Sequence, residues 1–282
     1  MTKICSTPTT TLTTKDIASF VGSILRILST FIIYIFHCNA QYGFGSNSGL
    51  HYAFPFFLFI SGYYSVIDKK SPNQWIIRRL KRIYIPYWIV ICSVIIANMF
   101  FKYKDVGASE IFFLIIGGNL FIENKLYVIT WFISVIIFLY LCVYVLSFVK
   151  NLFIKILITS ALIAILIKFN IPYYFFISFA SGYFLHNIFI KSDLESKTFL
   201  SKRKNVKIFR MFAGPLLLVQ NYSYEFFLMH GGILLFFTKV LHASYEIALY
   251  GGIAATLAGS IVLKFFSKKI ETLFSSTPIV KL

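Results

Sequence analysis

Acidic residues are scarce in this chain, and charge of either sign is limited. Its 282 residues include 10 Asp and Glu against 27 Lys and Arg, so that charged residues make up 13% of the whole. With 58% hydrophobic residues and a mean hydropathy of +0.79, this composition excludes one water-soluble core of ordinary proportions. We therefore interpret the chain as a protein that crosses a membrane several times.

Cysteines are also few, and no metal or nucleotide motif is visible. The 4 cysteines are Cys5 near the start and Cys38, Cys92 and Cys142 in or beside apolar stretches, so no disulfide framework is implied. The sequence has no metal-ligand spacing, no glycine loop that would cradle phosphates and no Ser/His/Asp order. We expect no metal, and none of the corresponding catalytic classes is supported.

Long hydrophilic segments are absent as well. The longest has about 20 residues, too few for a separate soluble domain. No internal repeat is evident. A polysaccharide polymerase would need a large external loop, which the sequence lacks.

Apolar stretches that approach the roughly 20 residues needed to cross a bilayer as helix recur along the chain. They occupy residues 17–38, 50–67, 83–101, 127–149, 152–168, 171–190, 214–238 and 246–265. The stretch 111–122 is too short to cross alone and predicts a re-entrant or interfacial helix. The expected fold class is all-α, a polytopic transmembrane helix bundle of about eight full spans plus that short helix, with a domain at 17–268 between tails at 1–16 and 269–282.

Basic segments predict the orientation of the chain. Residues 68–82 and 191–210 are the richest in Lys and Arg and should face the cytoplasm, whereas the uncharged loop 39–49 fits the outside. An even number of crossings between the basic segments then puts both termini in the cytoplasm. Because the positive charge lies in loops and at helix ends, we expect a lipid bilayer and no nucleic acid as its partner.

The first span carries an arginine and a histidine on one face. Arg26 and His37 are 11 residues apart, three helical turns plus about 20°, and differ in height by about 16 Å. The same stripe holds Ser19, Gly22, Ser23, Ser29, Thr30, Ile33 and Tyr34, with Leu28, Phe31, Ile32 and Ile35 opposite. Since an arginine inside a membrane helix costs about 2.5 to 3.5 kcal/mol, this face should meet protein or a water-filled cavity.

The two residues suggest different tasks. Near the external end, a neutral His37 has the form that a general base requires. Arg26 stays charged and needs an anionic ligand or a buried carboxylate, for which Glu225 is the best-placed acidic residue. A network of hydrogen bonds between helices, without chemistry, is the alternative.

Five segments together resemble one family. After the Arg26 and His37 pair come residues 54–64 with Ser61-Gly62-Tyr63, residues 78–88 with Arg79 and Arg82, residues 130–141, and residues 223–234 with Ser223, Tyr224, Leu228 and His230. In this order they resemble the integral-membrane acyltransferases called acyltransferase family 3, whose members O-acylate cell-surface polysaccharides. The matches run from residue 26 to about residue 234.

The resemblance implies an enzyme, an O-acetyltransferase of the bacterial cytoplasmic (inner) membrane. It would move an acetyl or other acyl group from acetyl-coenzyme A to a hydroxyl of a surface polysaccharide or a lipid-linked oligosaccharide. Arg78, Arg79 and Arg82 would then bind the phosphates of coenzyme A, because guanidinium groups suit phosphate oxygens. Ser61 and Gly62 would allow close approach of the donor, or of a neighbouring helix.

Within this reading His37, Arg26 and His230 are the catalytic candidates. The pantetheine arm would pass Arg26 and bring the thioester to His37, which deprotonates the acceptor hydroxyl. A covalent acyl-histidine remains an alternative to direct transfer. His230 shares a helical face with Ser223 and could be catalytic or structural.

Two other functions stay open at this point. A transporter or flippase of lipid-linked glycans would also be polytopic and basic inside, although it predicts broken helices and inverted repeats that are not clear here. A membrane sensor or assembly subunit would have equally short loops.

Overall fold

The computed structural model of the protein is built almost entirely of helices. It describes residues 12–44, 53–65, 67, 71–102, 104–119, 126–168, 172–191, 198–200 and 203–276. The α-helices are α1 (Thr14–Gln41), α2 (Ala53–Tyr63), α3 (Pro72–Phe101), α4 (Ala108–Ile116), α5 (Trp131–Ser147), α6 (Leu152–Lys168), α7 (Tyr173–Lys191), α8 (Arg203–Gln220), α9 (Ser223–Leu235) and α10 (Gly252–Ser276). This confirms the predicted helical class.

A few other elements join the helices. A 3-10 turn, Val128–Thr130, leads into α5, and wide π-helical turns form at Phe236–Val240 and Ile247–Gly251. Two short strands, β1 (Leu12–Thr13) and β2 (Thr198–Leu200), pair antiparallel. This strand pair is a small departure from the all-α prediction.

Three helices among the described residues are long and apolar enough to cross a membrane. They are Asp16–Gln41, Pro72–Phe101 and Ile247–Leu273. Ala53–Tyr63 and Trp131–Ser147 are shorter apolar helices. The count of eight spans and the cytoplasmic position of both termini stay predictions.

Helix boundaries differ from the prediction in two places. Parts of the two basic segments expected as loops are helical, since α3 begins at Pro72 and α8 at Arg203. Proline suits the first turn of a helix, and Lys and Arg are good helix formers. The prediction of one span over 214–238 is wrong, because turn hydrogen bonds from Asn221 and Tyr222 end α8 before α9 starts.

The chain divides into two compact units. The first comprises Met1–Ile33, Ser48–Val66 and Thr159–Ser223, and the second comprises Tyr34–Asn47, Ile67–Ile158 and Tyr224–Leu282. In the first unit α2 packs closely along α7. The rings of Phe54 and Phe175 lie 6.2 Å apart near the amino ends, and those of Tyr63 and His186 lie 4.7 Å apart near the carboxyl ends. The two helices are therefore parallel.

Glycines make this close packing possible. A Cβ built on Gly62 would overlap the carbonyl oxygen of Phe179, and one built on Gly182 would overlap that of Phe59. The contact is thus reciprocal. Each glycine packs against the backbone of the other helix, at the residue that lies three positions before the other glycine. Small residues of this kind let helix backbones approach each other in membrane proteins.

The two helices also share a sequence. Residues 59–63 read Phe-Ile-Ser-Gly-Tyr and residues 179–183 read Phe-Ala-Ser-Gly-Tyr, with the glycines at the crossing. The likeness covers five residues, of which four are identical.

In the second unit α3 packs against α5, α10 and the short helix α4. The turn after α4 is left-handed at Gly117, with φ of 71°, as glycine allows. The last carbonyls of α4 accept hydrogen bonds from α3, donated by Tyr87 to Leu114, by Trp88 to Ile115 and by Tyr84 to Ile116. A short helix, Ala108–Ile116, thus covers the first part of the stretch 111–122 and is tied at its end to a long one, while its re-entrant or interfacial position stays a prediction.

Candidate functional site

Two histidines face each other in the second unit. His37 lies near the carboxyl end of α1 and His230 lies on α9. Their ring centroids are 5.2 Å apart and the ring planes are tilted by 39°. His230 is 1% exposed and His37 is partly buried. A pair of imidazoles this close, away from bulk water, is suited to the transfer of a proton.

A backbone contact sets the tautomer of His230. Its Nδ1 lies within hydrogen-bonding distance of the Phe227 carbonyl oxygen, one turn earlier on α9. Because a carbonyl only accepts, we assign the proton of the neutral ring to Nδ1. The other ring nitrogen, Nε2, is buried and has no hydrogen-bond partner among the residues that the structure describes. His230 therefore offers a free acceptor in a dry environment.

Aromatic rings enclose the histidine pair. The rings of Phe36 and His37 lie 5.3 Å apart, and those of Phe227 and His230 lie 5.2 Å apart. Tyr34 lies 6.3 Å from the His230 ring and donates a hydrogen bond of 2.6 Å to the carbonyl oxygen of Ala248. The imidazoles thus pack against aromatic rings, which restrict their orientation.

Tyr127 holds α9 on both sides of His230 and was not predicted. Its hydroxyl donates to the carbonyl oxygen of Leu228 at 2.5 Å and accepts from the N–H of Gly232 at 3.1 Å. Its side chain is 2% exposed. The sequence signal is the glycine pair after His230, since a Cβ on Gly231 would lie 3.2 Å from the Tyr127 hydroxyl.

The predicted donor-binding arginines lie on the first part of α3, also in the second unit. Arg78 and Arg82 are exposed, and Arg79 is partly buried. The Arg79 guanidinium lies 5.4 Å from the ring centroid of Trp75 and 5.3 Å from that of Tyr140. These cation–π contacts position Arg79. The other two arginines face outward.

The polar face of α1 is turned inward as predicted. Leu28, on the opposite face, is 52% exposed, and the buried residues of the predicted stripe are Gly22, Ser23, Ser29, Thr30, Ile33 and Tyr34. Arg26 is partly buried in the first unit, with its guanidinium 6.0 Å from the ring centroid of Phe57 and 5.9 Å from that of Tyr64. Its catalytic role stays a prediction.

Glu225, expected as a counterpart of Arg26, has another ionic partner. Its Oε1 lies 3.7 Å from Nζ of Lys264 on α10, within the second unit. This pair could not be predicted from the sequence, because the two residues are far apart along the chain.

Ser61 and Gly62 are buried in α2 of the first unit. The contact of Gly62 with the backbone of α7 accounts for a glycine at this position. Binding of a donor by Ser61 and Gly62 stays a prediction. The structure thus brings together His37 and His230 in the second unit, which also holds the three arginines.

Comparison with known proteins gives one family match. Residues 23–200 fit a family model described as an acyltransferase domain. The matched region includes every predicted site residue except His230. No curated protein and no solved structure matches the chain.

Proposed function

Since the chain belongs to acyltransferase family 3, we propose that it moves an acyl group, in the first place acetyl, from acyl-coenzyme A to a hydroxyl of a cell-surface polysaccharide or a lipid-linked oligosaccharide. The family and the apolar helices make it a membrane acyltransferase. The observation that supports this site for the reaction is the His37 and His230 pair, with ring centroids 5.2 Å apart.

In the proposed reaction His37 is the general base. It takes the proton of the acceptor hydroxyl while the hydroxyl oxygen attacks the thioester carbonyl. The new C–O bond forms, the C–S bond breaks, and the thiolate of coenzyme A leaves and takes up a proton. A covalent acyl-histidine would divide the same transfer into two steps.

His230 is proposed as the partner of the base. Its Nδ1–H is directed to the Phe227 carbonyl, so Nε2 can accept a hydrogen bond beside His37. An acceptor in that place stabilises the imidazolium that forms when His37 takes a proton. Tyr127 supports this arrangement, because it fixes the backbone of α9 at Leu228 and Gly232.

Donor binding is proposed for Arg78, Arg79 and Arg82, with Ser61 and Gly62 as further candidates. Two guanidinium groups on the exposed side of α3 are suited to the phosphates of coenzyme A. Arg79 is fixed between aromatic rings and is the best oriented of the three. Arg26 is proposed as a cation near the path of the donor.

The proposal includes a location. An enzyme that uses a cytoplasmic donor to modify surface glycans belongs in the bacterial cytoplasmic membrane. We place both termini in the cytoplasm, with about eight spans, from the distribution of Lys and Arg.

The test is to express the chain in a bacterium with a defined surface glycan and to examine that glycan by NMR for new O-acetyl groups. We expect acetylation with the wild-type chain and at least a hundredfold less with His37→Ala, on the order of the contribution of a general base. The matched control is His242→Asn, because His242 lies in a turn with φ of 46° that asparagine tolerates.

The outcomes separate the candidate functions. Acetylation that persists in His37→Ala at wild-type level would remove His37 from the mechanism. A change in the amount of surface glycan, without any acetylation, would favour the flippase instead.

A further inference from the structure

A buried ion pair lies in the second unit apart from the histidines. Glu225, in the first turn of α9, lies 3.7 Å from Lys264 of α10, and their side chains are 11% and 15% exposed. Removing both charges from water is costly, and the pair alone repays this cost poorly. A buried pair of this kind is therefore a candidate for a further role, such as binding a ligand.

Helix α3, which carries the predicted donor-binding arginines, also reaches this ion pair. The hydroxyl of Tyr224 donates a hydrogen bond of 2.9 Å to the carbonyl oxygen of Ile83 on α3. Tyr224 precedes Glu225 and Ile83 follows Arg82, so this bond brings Arg82 to the level of Glu225. The helices α3 and α10 also pack against each other. Lys268 follows Lys264 by one turn on α10, so the two side chains share a helical face.

Positive charge is in excess in this cluster. Arg82, Lys264 and Lys268 provide three cations, and Glu225 pairs with Lys264. Oε2 of Glu225 is buried and accepts no hydrogen bond from the residues that the structure describes. Arg82 and Lys268 are exposed, while Lys264 is partly buried. A ligand that approaches from the exposed side would meet these two exposed cations first and the ion pair behind them.

We propose that Lys264 is a donor-binding residue, which together with Arg82 and Lys268 binds a phosphate group of the acyl-coenzyme A nucleotide. Glu225 is the counterion of Lys264 while the donor is absent, and a phosphate displaces it because a dianion satisfies more of the three cations than one carboxylate does. This inference rests on the proposed function. The same chemistry would suit the headgroup of an anionic lipid, which the experiment must separate.

The experiment measures binding by calorimetry to the full chain in neutral detergent, with coenzyme A and 3′-dephospho-coenzyme A as probes. The variants are Lys264→Gln, Glu225→Gln and the double variant. The matched control is Lys269→Gln, on the same helix, whose Nζ lies 4.8 Å from the ring centroid of Phe265.

We expect coenzyme A to bind about tenfold more weakly to Lys264→Gln, as for the loss of one charge-assisted contact. Glu225→Gln should bind about threefold more tightly, because the competing carboxylate is gone. The double variant should match Lys264→Gln, since Glu225 acts only through Lys264, and Lys269→Gln should match the wild type. A weaker effect of Lys264→Gln on 3′-dephospho-coenzyme A would identify the 3′-phosphate as the bound group.

Several results would overturn the inference. If the double variant regained wild-type affinity, the pair would be merely structural, because that variant has no unpaired buried charge. If Lys264→Gln left coenzyme A binding unchanged but abolished stabilisation by added phosphatidylglycerol in thermal unfolding, the ligand would be a lipid. Wild-type protein that bound no coenzyme A would refute the proposed donor itself, which is a different result from unchanged binding in the variant.

Discussion

The Nδ1 contact of His230 allows its two possible roles to be separated by substitution. Asparagine can place an N–H near the position of Nδ1 and keep the bond to the Phe227 carbonyl, while glutamine reaches the position of Nε2. If the Nε2 acceptor assists His37, we expect His230→Asn to lower the acyl-transfer rate about 10- to 100-fold and His230→Gln to lower it less. The measurement is the rate of transfer to a purified glycan.

The same two variants control for folding. Both should unfold within a few degrees of the wild type, since each fills most of the space of the imidazole. Equal loss of rate in both, accompanied by an equal loss of thermal stability, would mean that His230 is structural.

At the residue scale, the sequence predicted which face of α1 is buried but not the partners of its polar groups. Burial follows from helical periodicity: the neighbouring residues Leu28 and Ser29 lie on different faces, so the first is exposed and the second is buried. The pairing of Glu225 with Lys264 depends on how α9 and α10 pack, which periodicity does not encode. Tyr127 escaped notice for the same reason, because a tyrosine in an apolar run is typical of a core.

The α2–α7 crossing is the element whose sensitivity to substitution is easiest to measure. Gly62→Ala and Gly182→Ala each place a methyl group against a backbone carbonyl oxygen, which no rotamer change can relieve. We expect each to destabilise the first unit by about 1 to 3 kcal/mol. The measurement is thermal unfolding in detergent, followed by a probe in the first unit.

Gly214 provides the control for that experiment. It lies in α8 of the same unit, and a Cβ built on it has no neighbour within 4 Å. Gly214→Ala should therefore be neutral or stabilise by up to about 1 kcal/mol, because alanine favours helix over glycine. Destabilisation of equal size at all three glycines would show that the close packing of α2 on α7 does not depend on Gly62 and Gly182.

At the element scale, the existence of most helices could be predicted, whereas several boundaries could not. The long apolar stretches dominate the periodic signal, so α1, α5 and α6 lie close to their predicted ranges. The starts of α3 and α8 mix apolar residues with Lys and Arg, which interrupts the apolar signal there. Lys and Arg are good helix formers, so these turns are helical all the same.

For the molecule as a whole, the predicted topology can be tested with reporter fusions. Green fluorescent protein fused after Leu282 should fluoresce and alkaline phosphatase there should be inactive, because we place that end in the cytoplasm. Insertion of the phosphatase in the loop 39–49 should give an active enzyme. An active phosphatase after Leu282 would require an odd number of spans.

Composition and family-like motifs were enough to predict a membrane acyltransferase, which the family match confirms. They were not enough to predict the division into two units, because that division runs through α1 between Ile33 and Tyr34. A continuous helix gives no local sign of such a boundary. Arg26 therefore belongs to the first unit and His37 to the second.

The α2–α7 crossing has a consequence for biosynthesis. About 110 residues separate the end of α2 at Tyr63 from the start of α7 at Tyr173, so at about 5 to 20 residues per second the ribosome needs on the order of ten seconds to supply the partner. Until then α2, a helix of 11 residues, lacks the α7 backbone that packs against Gly62. Completion of the first unit is therefore a late event of membrane insertion, and in chains released early Gly62 of α2 would lack the α7 backbone against which it packs.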